Sequence, residues 1–196
     1  MTAGKIREAA LQLFARSGYD GVPLSEIAAA VGIRTPSIYA HYKSKDDLFI
    51  AVFEDCLQEH TRRMKQLIGD LQDRGVEEKL RTLFQDASRS YLLGQEQVTF
   101  LKVALLFPPA PLQDKLREQF ALSERLLDEA LGNIFEEGMR SGLLRREPVD
   151  DLIASFYCLL DGMFLQQYYY RRDDWQQRID AVWSIFWKGI MQANII

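Results

Sequence analysis

Leu24-Ser25-Glu26-Ile27-Ala28-Ala29-Ala30-Val31-Gly32-Ile33-Arg34-Thr35-Pro36-Ser37-Ile38-Tyr39-Ala40-His41-Tyr42 is the stretch from which the rest of this chain is read. Ile27, Ala28 and Val31 fall on one face of a short helix, and Ile38 and Tyr42, four apart, share a face of another. Between them Gly32-Ile33-Arg34 is a tight turn, and Pro36 suits a first helical position with Thr35 as N-cap. The pattern predicts helices over Leu24–Val31 and Pro36–Tyr42. Such a pair, preceded by a third helix, forms a three-helix DNA-binding unit. The same spacing turns Thr35, Ser37, Tyr39 and His41 outward as donors, acceptors and flat rings, the face a recognition helix offers to base edges. Lys43 and Lys45 follow directly and supply cations for a phosphate backbone. Short angled helices also occur in proteins that never touch DNA, so the pattern alone leaves that alternative open.

Working outward, every other segment also reads as helix. A first helix spans Ala3–Ser17, with Thr2 as cap, Ile6, Ala10, Leu13 and Phe14 on one face, and Gly18 as stop. Ser44 caps a long fourth helix, Lys45–Ile68, and five more follow at Val76–Leu93, Val98–Phe107, Leu112–Ser141, Val149–Arg171 and Trp175–Asn194. All six prolines sit where a helical pattern begins or ends. The fold class is all-α, with a DNA-binding domain at 1–46 and a larger helical domain for ligand and dimerisation at 47–196.

Charge divides along the same line. The 196 residues carry a net −4, yet residues 1–45 hold six basic against three acidic groups, and the remainder carries −7. A basic head on an acidic body approaches phosphate locally although the whole chain does not. Two cysteines, Cys56 and Cys158, are too few for a disulfide framework and fit a reduced cytoplasm. No window approaches the roughly 20 apolar residues of a membrane span, and the first 20 residues lack a signal peptide's apolar stretch. A cytoplasmic location with no membrane partner is expected.

The run Leu24 to Ile33, then Thr35-Pro36-Ser37-Ile38-Tyr39-Ala40-His41-Tyr42-Lys43-Ser44-Lys45-Asp46-Asp47-Leu48-Phe49, closely resembles the N-terminal domain of TetR-family transcriptional regulators. Ala9-Ala10, Leu13-Phe14 and Gly18-Tyr19-Asp20-Gly21 resemble that family's first helix and its exit, so the likeness covers about residues 4–50. It implies a homodimer on double-stranded, pseudo-palindromic operator DNA, released by a small-molecule effector in the larger domain. Position by position it implies DNA contacts from Ser25, Thr35, Pro36, Ser37, Tyr39 and His41, with Lys43 beside them and Lys45 on phosphate. Two departures stand out: Pro23 replaces the Thr or Ser that commonly caps the second helix, and Ser25 stands where many relatives have a longer residue. Both imply weaker backbone contact from that helix, with Glu26 still complementing its dipole.

The last two predicted helices suggest the dimer. Helix eight is apolar nearly all round, and helix nine carries Ile179, Val182, Trp183, Phe186 and Ile190 on one stripe with Ile185 and Trp187 off it. Such helices need cover on every side, which a second subunit supplies. Phe156, Leu160, Gly162, Phe164, Trp183 and Phe186 are the expected interface, with Gly162 marking a close helix approach. The core of a monomer is the alternative.

A mainly apolar ligand between helices four and eight has His60, Met64, Phe84, Phe100, Phe107, Phe120, Tyr157, Asp161 and Phe164 as candidate lining, although aromatics at helical spacing are more often plain core. Asp161 reaches solvent, a ligand or the partner. Cys56 and His60 have ligand-like spacing, but packing is favoured over a metal. Tyr168-Tyr169-Tyr170-Arg171-Arg172 reads as a helix terminus rather than a nucleic-acid patch. No phosphate loop, nucleophile–base pair or carboxylate pair stands out, so neither catalysis nor a cofactor is expected. Two further readings stay open: the same fold without a small-molecule effector, and a helical carrier or enzyme that only mimics the motif.

Overall fold

The structure, a computed structural model, describes residues 3–90, 96–167, 169–170 and 174–192. Among them nine α-helices form: α1 (Ala3–Ser17), α2 (Leu24–Ala30), α3 (Thr35–Tyr39), α4 (Lys45–Asp70), α5 (Val76–Ser90), α6 (Glu96–Leu106), α7 (Gln113–Arg140), α8 (Val149–Gln166) and α9 (Trp175–Ile190). A 3-10 turn at Ala110–Leu112 precedes α7, and a lone antiparallel bridge joins Leu144 and Met191. The all-α expectation holds, but α9 stops at Ile190 rather than Asn194, because Met191 turns extended and pairs with Leu144; the proposed cap Thr2 and residues 91–93 of the expected fifth helix lie outside the described residues.

The chain forms two compact units, residues 1–62 with 95–124 and residues 63–94 with 125–196. In the first, Ile6, Ala10 and Phe14 recur every four residues on α1 and are all buried, as an amphipathic helix requires. They join Ile27 and Ala28 of α2, Ile38 of α3, Leu48, Phe49, Val52 and Phe53 of α4, and Phe100 and Leu101 of α6 in one apolar core.

In the second unit, Leu80 and Phe84 of α5, Leu131 and Phe135 of α7, Phe156 and Leu160 of α8 and Ile179 and Trp183 of α9 share another core. The Trp175 indole nitrogen donates to the Ser88 carbonyl at 3.3 Å, satisfying a buried polar group. Trp187 corrects the sequence reading: it is buried, and it stacks on Trp183 with ring centroids 5.7 Å apart. Four residues on, it occupies the same helix face as Trp183, so the aromatic stripe is wider than the five residues read from the sequence. A Cβ built on Gly162 would meet no atom of a described residue beyond its own helix within 4 Å. Helix α8 stops at Gln166 rather than Arg171; Tyr169 and Tyr170 are exposed beyond it, and the Arg178 guanidinium lies 3.7 Å from the Tyr170 ring centroid. Tyr168, Arg171 and Arg172 lie outside the described residues.

Candidate DNA-binding surface

Helix α2 closes on Gly32, whose φ of +70° is open to glycine at little cost. Gly32 N–H donates to the Ala29 carbonyl at 3.1 Å and Ile33 N–H to the Ala28 carbonyl at 2.9 Å, the paired bonds of a Schellman motif. That closure turns the chain sharply into α3. The N-cap of α2 is Pro23, which makes no side-chain cap bond; Glu26 N–H instead bonds the Pro23 carbonyl at 3.0 Å.

The start of α3 differs by one residue from expectation. Arg34 is the N-cap, in extended conformation and without a side-chain cap bond, and Thr35 is the first helical residue. Pro36 then takes the second position, where its missing N–H costs nothing. The helix is one turn long; His41 and Tyr42 N–H both return to the Ile38 carbonyl, at 2.9 and 3.0 Å, carrying the turn onward past Tyr39.

Buried Ile38 and Tyr42 anchor this segment from below, and what remains faces out. Pro36, Ser37, His41 and Lys43 are exposed, Tyr39 is 56% exposed, and Thr35 is half-buried at the edge. Ser25 is exposed on α2. All of these residues belong to the first unit. Arg34, exposed at the head of α3, adds a cation that the sequence reading left in the turn; its place directly before Thr35 was the available signal.

Lys45 has a second attachment. Its ammonium lies 4.1 Å from the Tyr19 ring centroid, and the Tyr19 hydroxyl donates to the Asp46 carboxylate. Burial and that carboxylate push the Tyr19 phenol well above its ordinary pKa, so it stays a donor. The α1–α2 turn is thereby tied to the start of α4. Ser44 Oγ accepts from Asp47 N–H at 3.1 Å and Asp47 returns a bond to Lys43 N–H at 2.9 Å, so Ser44 caps α4 as expected.

The ligand candidates divide between the two units. His60, Phe100, Phe107 and Phe120 belong to the first, and Met64, Phe84, Tyr157, Asp161 and Phe164 to the second. Phe100 is buried in its core, whereas Phe107 is 77% exposed. Met64, Phe84 and Phe164 are buried, the Tyr157 hydroxyl donates to Asp128 at 2.8 Å, and Asp161 is exposed. Cys56 is buried, with its thiol pushed up to about 12 by desolvation. No group of three or more His, Cys, Asp or Glu with metal-holding geometry occurs among the described residues, and none of their helices is long and apolar enough to cross a membrane.

Of the expected interface residues, Phe156, Leu160, Phe164 and Trp183 are buried within the single chain, and Gly162 and Phe186 are half-buried. Other side chains of these two helices are exposed: Cys158 of α8, Leu165 of α8 at 42% and Ile185 of α9 at 72%.

Residues 6–52 match the family model of bacterial regulatory proteins of the tetR family. The HTH-type transcriptional repressor AcnR of Corynebacterium diphtheriae is 25% identical over 163 residues, 83% of this chain and 78% of that one. Among solved structures, the transcriptional regulator FadR from Bacillus subtilis in complex with stearoyl-CoA superposes with a TM-score of 0.72 at 21% identity, covering 96% of this chain and 100% of that one. AibR in complex with isovaleryl coenzyme A and operator DNA does so with a TM-score of 0.72 at 23% identity, covering 93% and 96%.

Proposed function

Because this chain is a TetR-family transcriptional regulator, we propose that it works as a homodimeric repressor that leaves its operator when a small, mainly apolar ligand binds. The observation that carries the reading is the short α3, seated by Ile38 and Tyr42, with Ser37, Tyr39 and His41 standing clear of the surface. A recognition helix needs that combination, because base readout depends on side chains held at a fixed register by a rigid support. Residues 1–46 serve as the DNA-binding domain. Ser25, Thr35, Pro36, Ser37, Tyr39 and His41 meet the groove, and Lys43 and Lys45 meet phosphate.

The remaining residues, 47–196, serve for dimerisation and effector response. Uncovered apolar side chains on α8 and α9 favour a second copy, since Ile185 and Leu165 gain burial only from a partner. Phe156, Leu160, Phe164 and Trp183 then form the layer directly behind the contact, and Gly162 and Phe186 reach its edge. The protein acts in the cytoplasm, where its operator lies, and carries out no catalysis. Solved structures of the same fold hold stearoyl-CoA and isovaleryl coenzyme A, so acyl-CoA thioesters of graded length are the first effectors to try.

Fragments of the source genome selected on the purified protein, then titrated in a gel shift, test this. A defined inverted-repeat site is expected, with at least one acyl-CoA weakening it. A 100-fold preference of the ligand for the unbound conformation corresponds to about 2.7 kcal/mol of coupling per site. Binding that is equal for selected and random fragments overturns the reading.

A further inference from the structure

Tyr19, in the turn between α1 and α2, meets the start of α4 in a way that the DNA-binding reading leaves unused. Gly18 ends α1 with φ +69°, and its N–H donates to the Phe14 carbonyl at 2.9 Å. That left-handed step returns Tyr19 to the face of α1, where its ring stacks on Phe14 with centroids 6.2 Å apart and planes inclined by 20°. The Phe49 ring of α4 meets it nearly at right angles, 5.3 Å away, and the phenol hydroxyl donates to Asp46. Phe14, Phe49 and Asp46 together fix the ring on the first unit.

The Lys45 ammonium lies 4.1 Å from the centroid of this fixed ring. An aromatic face attracts a cation without neutralising it, whereas a carboxylate partner cancels its charge. Arg7 shows the contrast, since its guanidinium is paired with Asp55. No described carboxylate forms an ion pair with Lys45, and its neighbour Asp46 accepts from the Tyr19 hydroxyl instead. Lys45 is half-buried, so part of it stays open, and an ammonium carries three donors. Arg34 and Lys43, both exposed, rest on no ring among the described residues. A free lysine side chain loses rotamer freedom when it settles on a phosphate; a seat on a fixed ring removes part of that freedom beforehand.

We propose that Tyr19 is a positioning residue for DNA binding, its ring holding the Lys45 ammonium from one side while a backbone phosphate takes the other. The proposal rests on the regulator reading and on the phosphate contact proposed for Lys45; the ring seat does not. Two full-length proteins, Tyr19→Phe and Tyr19→pentafluorophenylalanine, test it. Both lack the hydroxyl and keep the ring's shape, and fluorination strips the negative charge from its face. In proton NMR of unliganded Tyr19→Phe, ring current should move the Lys45 Cε protons upfield of those of Lys43, and in the fluorinated protein it should not. In gel shifts the fluorinated protein is expected to bind operator and random DNA alike about threefold to tenfold less tightly than Tyr19→Phe. In a Lys45→Ala background the two should bind equally.

An unshifted Lys45 signal in Tyr19→Phe overturns the ring seat. Equal DNA affinity of the two ring proteins overturns the positioning role. So does a difference that persists in the Lys45→Ala background or is confined to the operator, since a purely structural part for the ring acts in that way. An unaltered protein that selects no operator sinks the regulator reading instead, and leaves the Lys45 proton shift where it was.

Discussion

The Arg7 Nε of α1 stands 2.5 Å from the Asp55 Oδ2 of α4, an ion pair linking the first helix to the long fourth one. The same guanidinium donates from Nη1 to the Tyr42 hydroxyl at 3.1 Å, and that hydroxyl lies 3.3 Å from the Ala3 carbonyl. Tyr42 ends the segment that begins with α3, so one arginine contacts both the end of that segment and α4. Both partners of the ion pair are partly exposed, at 33% and 51%, which limits its net strength.

Arg7→Ala is therefore expected to lower the unfolding free energy by about 1 kcal/mol, shared between the Tyr42 and Asp55 contacts. A double-mutant cycle of Arg7→Ala with Asp55→Ala, read by urea denaturation, should give a coupling of about 0.5 kcal/mol. Additive losses would mean that the two side chains do not interact in solution.

The contacts proposed for Lys45 and Ser37 are of two kinds and should fail differently. Ser37→Ala removes an exposed hydroxyl from α3 and should reduce operator affinity by about 1–3 kcal/mol while non-specific binding hardly changes. Lys45→Ala removes the proposed phosphate partner, so binding should weaken about equally on operator and random DNA, with the salt slope falling by roughly one per subunit. It also removes the cation over Tyr19, so Lys45→Arg serves as the control that keeps both. Unchanged affinity and unchanged salt dependence in Ser37→Ala and Lys45→Ala would disqualify α3 as the reading element.

What could be read from the sequence here depended on how local its cause was. The α2–turn–α3 segment was legible because Gly32, the apolar spacing and Ser44 act within a few residues, and the bonds they predict are present. The one-residue error at Thr35 arose because a hydroxyl that can cap was assumed to do so, whereas Arg34 takes that place in extended backbone. The Arg7 link, by contrast, joins residues 35 and 48 positions apart, and nothing in their local sequence announces it. Trp187 was misplaced for a related reason: a helix's buried arc depends on which helices cover it, and only the fold supplies that.

Asp86 supplies a pH dependence whose sign follows from its surroundings. Burial raises its pKa above the ordinary carboxylate value, with Arg63, 2.9 Å away, pulling the other way. The folded state thus keeps the proton to higher pH than the unfolded chain does, and stability contributed by the protonated form is lost as pH rises through the folded pKa. Asp86→Asn removes this loss. Between about pH 4 and pH 7 the urea midpoint of Asp86→Asn should gain on that of the unaltered protein. Parallel midpoints across that range would show that Asp86 titrates as a solvated carboxylate.

Ile185 provides the test of assembly. It is 72% exposed on α9, while Val182 and Phe186 beside it are half-buried, so its side chain contributes little to the subunit's own core. A permanent dimer interface buries on the order of 2,000 Å² or more, and a charge at its centre goes unpaired in a desolvated site. Ile185→Glu is expected to convert the dimer to monomer in sedimentation at micromolar concentration. As a surface change within the subunit it should move the unfolding free energy of the monomer by no more than about 0.5 kcal/mol. Operator affinity should then collapse to that of a single half-site, because two recognition helices no longer bind as one unit. A dimer that persists in the Ile185→Glu protein would exclude this face of α9 from the contact, and the exposed Leu165 side of α8 would become the next position to charge.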